Sequence, residues 1–560
     1  MAEDMEGGRS RSKSFHKQKK PFSLESQEGK EVTENALFEF CKENNDQASM
    51  KCLLEHVELS GIRLSDPRLK PLMTYLETLN NDEEDFKNLK LDIESFSKSL
   101  EAEGPATLIH QAINKQLVIP DFKEFTEEIN TIFLDCKENT EGAVADYIPQ
   151  LARANPDHWG VSICTVDGQR LSLGDTKEQF TIQSTSKAIT YAMLLDYLGH
   201  ETVHKYEGCE PSGRIFNEIV LDYNNKPHNP MVNSGAIMSA ALILQLVKPE
   251  MNRADKYDMV MNFFKKMAGN EYIGFDNAVF MSEKESADRN TALAFFMREN
   301  KCFPESVAMC DISSILEFYY QLCSLKATCE SLSVIASTLA NGGKCPITGD
   351  QVVRSSEVRH VLSLMYSCGM YNYSGQFAFN VGLPAKSGVS GVVMLVVPNV
   401  MGAVTFSPPL DKVGNSVRGV QFCEKLVKQY SFHVFDSVDR SHDREDPTQQ
   451  EDMMTSMVTS QILVAATKGD LFALKKAQAA NVDMSLCDYN KRTALHQAAM
   501  GGHTACVKYL VRECRVGLGD KDSWGNTPLQ EAVRAAHQDI ADILQQYSLH
   551  QGASVGSIEE

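Results

Sequence analysis

Ser184 and Lys187 have the residue types and the spacing of a nucleophile and its base. They belong to the segment Gln183-Ser184-Thr185-Ser186-Lys187, and the apolar residues after it recur at intervals of three and four, which predicts an amphipathic helix. Residues three apart lie on one face of a helix, with Cβ atoms roughly 5–6 Å apart. A lysine whose pKa is lowered by burial can take the proton of a serine hydroxyl. Unpaired N–H groups at the start of the helix could stabilise an oxyanion.

The motif Ser-x-x-Lys is short and common, so its context decides its meaning. It starts three more times, at Ser10, Ser14 and Ser95. The copy at Ser184 follows a predicted hairpin, opens an apolar helix and precedes a Lys-Ser-Gly sequence, at 386–388, at the head of a predicted strand. Serine β-lactamases and penicillin-binding proteins share this arrangement of Ser-x-x-Lys and a later Lys-Ser/Thr-Gly edge strand. Ser184 is therefore the candidate nucleophile.

The composition predicts a multidomain globular protein. The chain has 560 residues, of which 42% are hydrophobic and 23% charged, enough for two to four domains. Its net charge of −20 argues against nucleic acid or an anionic membrane as a general partner. It has no run of 18 apolar residues, so we expect no membrane span. The 15 cysteines include no Cys-x-x-Cys pair, which favours a reducing compartment and no metal site.

The first 136 residues are predicted to form a tail and a helical domain. Residues 1–29 are basic and serine-containing, as in a transit peptide, but Glu3, Asp4 and Glu6 argue against that interpretation. We expect a disordered tail. Residues 30–136 have apolar residues at helical spacing and are predicted to form a small N-terminal helical domain.

An acidic run at 82–85 raises the question of a calcium-binding loop in this domain. Such a loop needs a ligand residue and then a glycine at its turn. Phe86 and Lys87 stand at those two positions. We therefore favour a solvated acidic face over a calcium site.

Residues 137–436 are predicted to form an α+β domain. Alternating apolar residues at 161–165 and 171–173, around an Asp-Gly turn, indicate a β-hairpin. A second pair of strands is predicted within 389–406, and helical patterns fill 255–370. An antiparallel sheet built from both hairpins, with a helical lobe inserted between them, accounts for this order. This is the architecture of a serine β-lactamase-like or penicillin-binding-protein-like catalytic domain.

The C-terminal part contains an internal repeat. Residues 437–455 are polar and are predicted to form a linker. The sequence Thr-Ala-Leu-His-Gln-Ala at 493–498 is echoed by Thr-Pro-Leu-Gln-Glu-Ala at 527–532, close to the ankyrin period of about 33 residues. We assign 456–550 to ankyrin repeats, which provide a binding surface for another protein or another subunit. Residues 551–560 are predicted to be a flexible tail.

Several longer motifs carry a family resemblance. They are Gln-Ser-x-x-Lys at 183–187, Lys-Pro-His-Asn-Pro-Met-Val-Asn at 226–233, Ala-Gly-Asn-Glu-Tyr at 268–272, Ser-Glu-x-x-x-x-Asp-Arg-Asn at 282–290, Cys-Gly-Met-Tyr at 368–371 and Pro-Ala-Lys-Ser-Gly-Val at 384–389. The segment 147–432 thereby resembles the glutaminase family, serine-dependent enzymes that hydrolyse L-glutamine to L-glutamate and ammonia. The flanking helical domain and ankyrin repeats resemble those of the larger animal glutaminases.

The resemblance implies a role for each matching residue. Ser184 would be the nucleophile, Lys187 its activating partner and Tyr371 a proton relay, with Tyr147 as a further catalytic residue in the same pocket. The backbone N–H groups of Ser184 and Val389 would form the oxyanion hole. The implied substrate-binding residues are Tyr147, Ser184, Asn233, Glu283, Asn290, Tyr319, Tyr371 and Val389. The ammonium group of a free amino acid calls for a carboxylate such as that of Glu283, whereas its carboxylate calls for neutral donors. The role of Lys386 stays open.

Two departures from the family pattern stand out. Thr185 and Ser186 replace a Cys-Val pair of animal relatives at spacer positions, so catalysis should survive. The loop 214–225 has Glu218 where relatives have a lysine, and in the family this loop couples inorganic phosphate to activity. Whether inorganic phosphate activates this protein therefore stays open, and no other cofactor is expected. The resemblance also implies a homotetramer, with longer assemblies as an extension, and a mitochondrial location, with the cytosol as the alternative.

Two other functions are compatible with parts of the chain. One is a β-lactam-processing or peptide-processing enzyme with the same Ser-x-x-Lys arrangement, which the lack of a signal-peptide pattern disfavours. The other is a catalytically inactive ankyrin scaffold, which the intact Ser184, Lys187, Tyr371 and Glu283 disfavour. Ammonia release from glutamine, with asparagine and a chromogenic β-lactam as controls, separates these functions from a glutaminase.

Overall fold

The computed structural model divides the chain into two compact units, Met1–Thr448 and Gln449–Glu560. It describes residues 37–42, 46–79, 88–100, 105–214, 217–305, 312–438, 444–449, 451–479, 482–488 and 490–555. The predicted N-terminal tail and the acidic run at 82–85 lie outside these residues. Among the described helices, none is long and apolar enough to cross a membrane.

The described strands of the first unit form one large and two small sheets. They are β1 Ala48–Ser49, β2 Lys90–Leu91, β3 Gly160–Thr165, β4 Arg170–Gly174, β5 Phe180–Thr181, β6 Gly274–Phe275, β7 Leu325–Ala327, β8 Ala385–Gly388, β9 Val392–Val397 and β10 Met401–Phe406. The large sheet has the order β4-β3-β10-β9-β8, and all its pairs are antiparallel. The pairing of β3 with β10 joins the hairpins from the two ends of the domain, as predicted for an α+β fold, and β8 is an edge strand.

Helices fill the rest of the first unit. Its α-helices are Met50–Leu59, Lys70–Leu79, Ile93–Leu100, Pro105–Ile113, Phe122–Lys137, Pro149–Ala152, Ser186–Leu198, His200–Val203, Asn233–Gln245, Arg253–Met267, Asn277–Glu285, Asp288–Glu299, Ile312–Cys323, Cys329–Ala340, Ser355–Cys368, Ser374–Asn380 and Val417–Gln429. Short 3₁₀ turns are Pro67–Leu69, Gln183–Thr185, Tyr371–Tyr373 and Asp436–Val438.

Both faces of the large sheet are covered, so every residue of β3, β9 and β10 is buried. On one face the helix Cys329–Ala340 approaches so closely that a Cβ at Gly402 would meet the Ser337 backbone nitrogen at 2.2 Å. On the other face lie the helices Phe122–Lys137 and Val417–Gln429. The Trp159 indole stacks on Phe133 of the first of these and donates to its carbonyl at 3.0 Å. Helix Phe122–Lys137, which the sequence grouped with the N-terminal domain, therefore belongs to the core of the sheet.

The N-terminal helices are fastened to the turn between β3 and β4 by hydrogen bonds. Arg68 Nη1 donates to the carbonyl of Asp167 at 2.7 Å. The Gln169 side-chain amide donates to the carbonyls of Ser60 and Ile119, at 2.8 and 2.9 Å. Because these bonds involve backbone atoms of the turn and of the connecting loops, they fix the N-terminal helices relative to the turn between β3 and β4.

The second unit consists of helices in pairs. They are Glu451–Lys468, Leu471–Ala479, Ala494–Met500, Thr504–Arg512, Pro528–Arg534 and Gln538–Val555. Thr493 and Thr527, the first residues of the repeated sequence, cap two of these helices. Two predicted boundaries differ from the structure, because helices extend into them: the helix from Glu451 begins inside the predicted linker, and the last helix continues to Val555 inside the predicted tail.

Candidate active site

Ser184 lies in the 3₁₀ turn Gln183–Thr185 that leads directly into the helix Ser186–Leu198. Residues 186–195 of this helix are all buried. The prediction of an amphipathic helix was wrong, because the small and polar residues between the large apolar ones are also covered by neighbouring helices. Gln183 has a φ of 47°, a left-handed conformation that is uncommon for a residue other than glycine and that concentrates at functional sites.

Lys187 is buried and donates a hydrogen bond to a side-chain amide. Only 3% of its surface is exposed, and its Nζ donates to Asn233 Oδ1 at 2.7 Å. Burial lowers the pKa of Lys187 to about 8, because removal from water disfavours the charged amine. About a tenth of this side chain is therefore neutral at pH 7 and able to accept a proton, and the neutral fraction rises with pH.

Tyr371 connects the nucleophile to the edge strand. Its phenol interacts with the Ser184 side chain and with the backbone of Val389. Burial raises the pKa of Tyr371 above its usual value, so the phenol stays protonated. The residue has a φ of 52° and follows the helix Ser355–Cys368 after a short connection. A protonated phenol in contact with Ser184 can pass a proton without carrying a charge itself.

Lys386 packs behind Tyr371 as a second buried amine. Its Nζ lies 4.7 Å from the centre of the Tyr371 ring and donates to the Ser387 carbonyl at 2.9 Å. Burial, together with the nearby Lys187, holds the pKa of Lys386 well below its usual value. Lys386 therefore lies over the face of the Tyr371 ring, and its role in the site stays open.

Glycines allow β8 to approach the serine turn. A Cβ at Gly388 would meet the Ile182 carbonyl oxygen at 2.9 Å, and one at Gly369 would meet the Ala385 carbonyl oxygen at 1.8 Å. The Lys-Ser-Gly edge strand therefore lies directly beside both Ser184 and the segment that presents Tyr371, as the sequence motif predicts.

Glu283 and Tyr147 form a hydrogen-bonded pair beside these groups. The Tyr147 hydroxyl donates to Glu283 Oε1 at 2.7 Å. The helix Pro149–Ala152, which follows Tyr147, packs with Val279 and Val389, and this contact explains the pairing. Burial raises the pKa of Glu283, while Tyr147, Gln183 and Lys187 oppose that rise. About half of the surface of Tyr147 is exposed, so this residue lies at the mouth of the site.

The amide residues connect the lysine to the helical lobe. Asn233 is the first residue of its helix and donates from Nδ2 to Asn290 Oδ1 at 3.1 Å. Tyr319 is buried on the helix Ile312–Cys323 and is influenced by the charge of Glu283. The described contacts therefore place all the site residues predicted from the sequence around Ser184 and Lys187.

Cys323 is the site residue that the sequence did not indicate. It is buried, and its thiol interacts electrostatically with Glu283, Lys187 and Lys386. Burial raises the pKa of Cys323 to about 12, so it is a neutral thiol and not a nucleophile. Its position four residues after Tyr319, on the same face of one helix, was the available signal.

Ser186, the other hydroxyl of the motif, is occupied elsewhere. Its Oγ donates to the Gln183 carbonyl at 2.7 Å, a bond typical of the first turn of a helix. This arrangement supports Ser184, and not Ser186, as the residue beside the phenol of Tyr371.

Comparison with known families agrees with this geometry. The glutaminase family model matches residues 142–435, a range that contains every residue of the site. The chain belongs to the glutaminase family. The chain is therefore an enzyme that hydrolyses glutamine to glutamate. Models of ankyrin repeats, in three copies, and of an EF-hand domain match this glutaminase at residues 462–556 and 33–120. The acidic run at 82–85 falls within the second match, but outside the described residues.

Relatives share most of the length of this glutaminase. The mitochondrial liver isoform of glutaminase from Rattus norvegicus is 48% identical over 511 residues, which cover 91% of this chain and 83% of the relative. Putative glutaminase 2 of Caenorhabditis elegans is 46% identical over 553 residues, covering 96% and 89%. A solved structure of a probable glutaminase, YbaS, is 32% identical with a TM-score of 0.52 and covers 56% of this chain and 98% of that one.

Proposed function

We propose that the chain hydrolyses L-glutamine through a γ-glutamyl ester on Ser184. The Ser184 Oγ attacks the γ-carboxamide carbon, and its proton passes to Lys187 through the phenol of Tyr371. The C–N bond then breaks, and the same proton leaves with ammonia. Water attacks the ester and gives one proton to Lys187, which returns it to Ser184 Oγ by the reverse route, while the other proton stays on the glutamate carboxyl group and is lost when that group ionises. The observation that carries this proposal is the buried Lys187, whose pKa is lowered to about 8.

The oxyanion of each tetrahedral intermediate would be bound by backbone N–H groups of Ser184 and Val389. The Tyr371 phenol interacts with the backbone of Val389 in the substrate-free enzyme, so a polar oxygen is already accommodated at that point. Donors that are fixed before the reaction stabilise such an oxyanion without reorganisation.

The amino-acid end of glutamine would be recognised by the opposite side of the site. The Glu283 carboxylate binds the α-ammonium group, while Asn233, Asn290 and Tyr319 donate to the α-carboxylate. Tyr147, which bonds to Glu283 at the mouth of the site, orients that carboxylate and covers the bound substrate. In this arrangement the α-ammonium group pairs with a charged carboxylate, and the α-carboxylate accepts hydrogen bonds from neutral donors.

The proposal is tested by labelling with a diazo-ketone analogue of glutamine, followed by mass spectrometry of the peptide 180–187. The label is expected on Ser184. Ser186→Ala serves as the matched control, because it removes the neighbouring hydroxyl and should label normally. Label on Ser186, or glutamine turnover by Ser184→Ala within ten-fold of the unmodified enzyme, would contradict the mechanism.

We infer that inorganic phosphate activates this glutaminase weakly. Glu218 places a negative charge in the loop that carries a lysine in relatives, and it pairs with Arg214 at 3.5 Å on the surface. Both effects weaken the attraction for an anion. Glu218→Lys should increase the ratio of activities with and without phosphate, and an unchanged ratio would contradict this inference.

We further infer a homotetramer, able to form longer assemblies, and a mitochondrial location. Support for the location comes from the rat and mouse relatives, whose names state it. Support for the assembly comes from the family resemblance. Light scattering on the purified chain and imaging of a tagged chain in cells test the two inferences separately. The ankyrin unit would bind another protein or another subunit.

A further inference from the structure

A cluster of metal-ligand side chains lies at the end of the serine helix that is remote from Ser184. His200 follows the helix Ser186–Leu198 after one residue, while Glu357 and His360 lie one turn apart on the helix Ser355–Cys368. One ligand atom from each of the three side chains lies within 4.8 Å of the others. The Glu-x-x-His spacing directs two ligands to one side of a helix.

Two of the three side chains have atoms left without a hydrogen bond. Glu357 is 5% exposed. Its Oε1 is contacted by Ser356 and Arg354, at 3.5 and 3.9 Å. Its Oε2 lies 3.4 Å from His360 Nδ1, yet within the described part of the chain neither of these atoms has a hydrogen-bond partner. Buried polar atoms are nearly always satisfied, so these two neighbouring atoms are suited to share one bound ion.

In the described part of the chain, neither His200 nor His204 forms a hydrogen bond with these two atoms. The His200 and His360 rings lie with their centres 4.8 Å apart, and His200 is exposed, so its ring can turn toward them. His204, the next histidine along the chain, is already engaged: its Nε2 bonds with the Tyr191 hydroxyl at 2.8 Å and its Nδ1 with the Glu207 carbonyl at 3.0 Å.

We propose that His200, Glu357 and His360 bind one divalent transition-metal ion, with the chemistry of Zn²⁺. Two imidazoles and one carboxylate, with water as a fourth ligand, are a common donor set for zinc. Tetrahedral bonds of about 2.1 Å place the ligand atoms about 3.4 Å apart, which small rotations from the present distances achieve. The expectation of no metal site rested on cysteine spacing, whereas this proposal rests on ligands that only the fold brings together.

The position of the ion gives it a structural consequence. Ser184 lies in the turn just before the serine helix, Lys187 lies in the first turn of that helix, and the helix Ser355–Cys368 ends just before Tyr371. An ion at the cluster would tie together the far ends of the two helices that carry the nucleophile, its base and its tyrosine. The site is separate from the chemistry itself, since no described contact joins its ligands to the catalytic groups named above.

The test measures Zn²⁺ binding to the full chain by competition with a chromophoric chelator, after removal of bound metal. The unmodified chain is expected to bind one equivalent, and His200→Ala and His360→Ala should each lower the affinity at least about ten-fold. His110→Ala is the matched control, since His110 is also half-buried with a ring nitrogen that has no partner among the described residues. Glutaminase activity confirms that each variant is folded.

Two further measurements distinguish this site from the cysteines. Co²⁺ should give the weak visible bands of nitrogen and oxygen ligands without a thiolate charge-transfer band, and Zn²⁺ should slow hydrogen exchange at residues 200–203 and 355–360. The proposal would be overturned if the chain bound no Zn²⁺ at micromolar concentration, or if the two variants and the control bound it equally. It would also be overturned by a thiolate charge-transfer band that persists in both variants. In each case the cluster would be only a histidine–glutamate ion pair.

Discussion

Lys187 can act as a base because of its partner as well as its burial. Its Nζ donates to the Oδ1 of Asn233, which fixes the direction of one N–H bond of the amine. A neutral amine has one lone pair, which can accept a proton. Asn233 therefore restrains the amine that we propose as the base, in addition to its proposed contact with the substrate.

The first prediction concerns pH. Because Lys187 must be neutral to accept a proton and its pKa is about 8, about a tenth of the enzyme is competent at pH 7 and most of it above pH 9. The kcat/KM for glutamine should rise with pH through about 8 and then level off. Tyr371 stays protonated over this range and adds no second step. A profile that is flat or falling between pH 6 and 9 would exclude Lys187 as the base.

The second prediction is that Ser184 and Lys187 act as one unit. Ser184→Ala, Lys187→Ala and the double variant should each lose roughly a thousand-fold or more in kcat, without additivity. Ser186→Ala, whose hydroxyl is bonded to the backbone, should stay within a few-fold. Ammonia release measures all four, and a double variant much less active than each single one would show that the two residues act independently.

The third prediction assigns substrate selectivity to Glu283. Glu283→Gln keeps the shape and the contact with Tyr147 but removes the charge. A hydrogen bond to a charged group contributes roughly 1.5–3 kcal/mol, so kcat/KM for glutamine should fall at least about ten-fold. Activity on N-acetylglutamine, which has no ammonium group, should fall much less. Equal losses on both substrates would remove Glu283 from this role.

At the scale of elements, the site depends on how closely β8 meets the helix that leads to Tyr371. Gly369 allows this approach, since a Cβ there would lie 1.8 Å from the Ala385 carbonyl oxygen. Its φ of −79° is ordinary, so the need for glycine is steric and not conformational. The edge strand and the tyrosine are therefore fixed relative to each other by one missing methyl group.

The fourth prediction follows from this contact. Gly369→Ala must displace β8 from the helix end, and overpacking of this kind typically costs about 1–3 kcal/mol of folding stability. We expect a lower unfolding midpoint in urea and a larger relative loss in kcat. Gly375→Ala is the control, because a Cβ there meets nothing within 4 Å and lies in a helix. Similar behaviour of the two variants would mean that the contact is not tight.

At the scale of the whole molecule, the catalytic residues all lie in the first compact unit. That unit ends at Thr448, beyond the predicted domain boundary at 436. The residues between these two positions form a hydrogen bond and an ion pair with the rest of the unit. The Glu445 carbonyl accepts a hydrogen bond from the Ser431 backbone, and Arg444 pairs with Asp436 at 2.6 Å. A chain without the ankyrin unit should therefore end at Thr448 and not at 436.

The fifth prediction is that the chain 1–448 retains the chemical step. Its kcat should lie within a few-fold of the full chain, because no catalytic residue is removed. A chain ending at 436 is the comparison, and it should be less stable because it loses the bonds of Arg444 and Glu445. A loss of more than about 100-fold in the folded 1–448 chain would show that the ankyrin unit completes the site.

The sequence alone was sufficient for what local patterns and motifs encode. The alternation of apolar residues predicted both hairpins, the repeated Thr-x-Leu sequence predicted the ankyrin helices, and the family motifs named the residues around Ser184. These features depend on neighbours in the chain, so their period and order are visible without a structure. The site roles themselves stay predictions that the proposed experiments test.

The tertiary structure decided what depends on residues far apart in the chain. It showed that the serine helix is covered on all sides, that Cys323 lies in the site, that helix Phe122–Lys137 packs on the sheet, and that His200 meets Glu357 and His360. Periodicity in the sequence indicates the one apolar face that a helix is expected to bury. Burial of its other faces depends on segments that are distant in the sequence and pack around the helix. The same burial lowers the pKa of Lys187, because desolvation is a property of the packed lobe and not of the Ser-x-x-Lys motif.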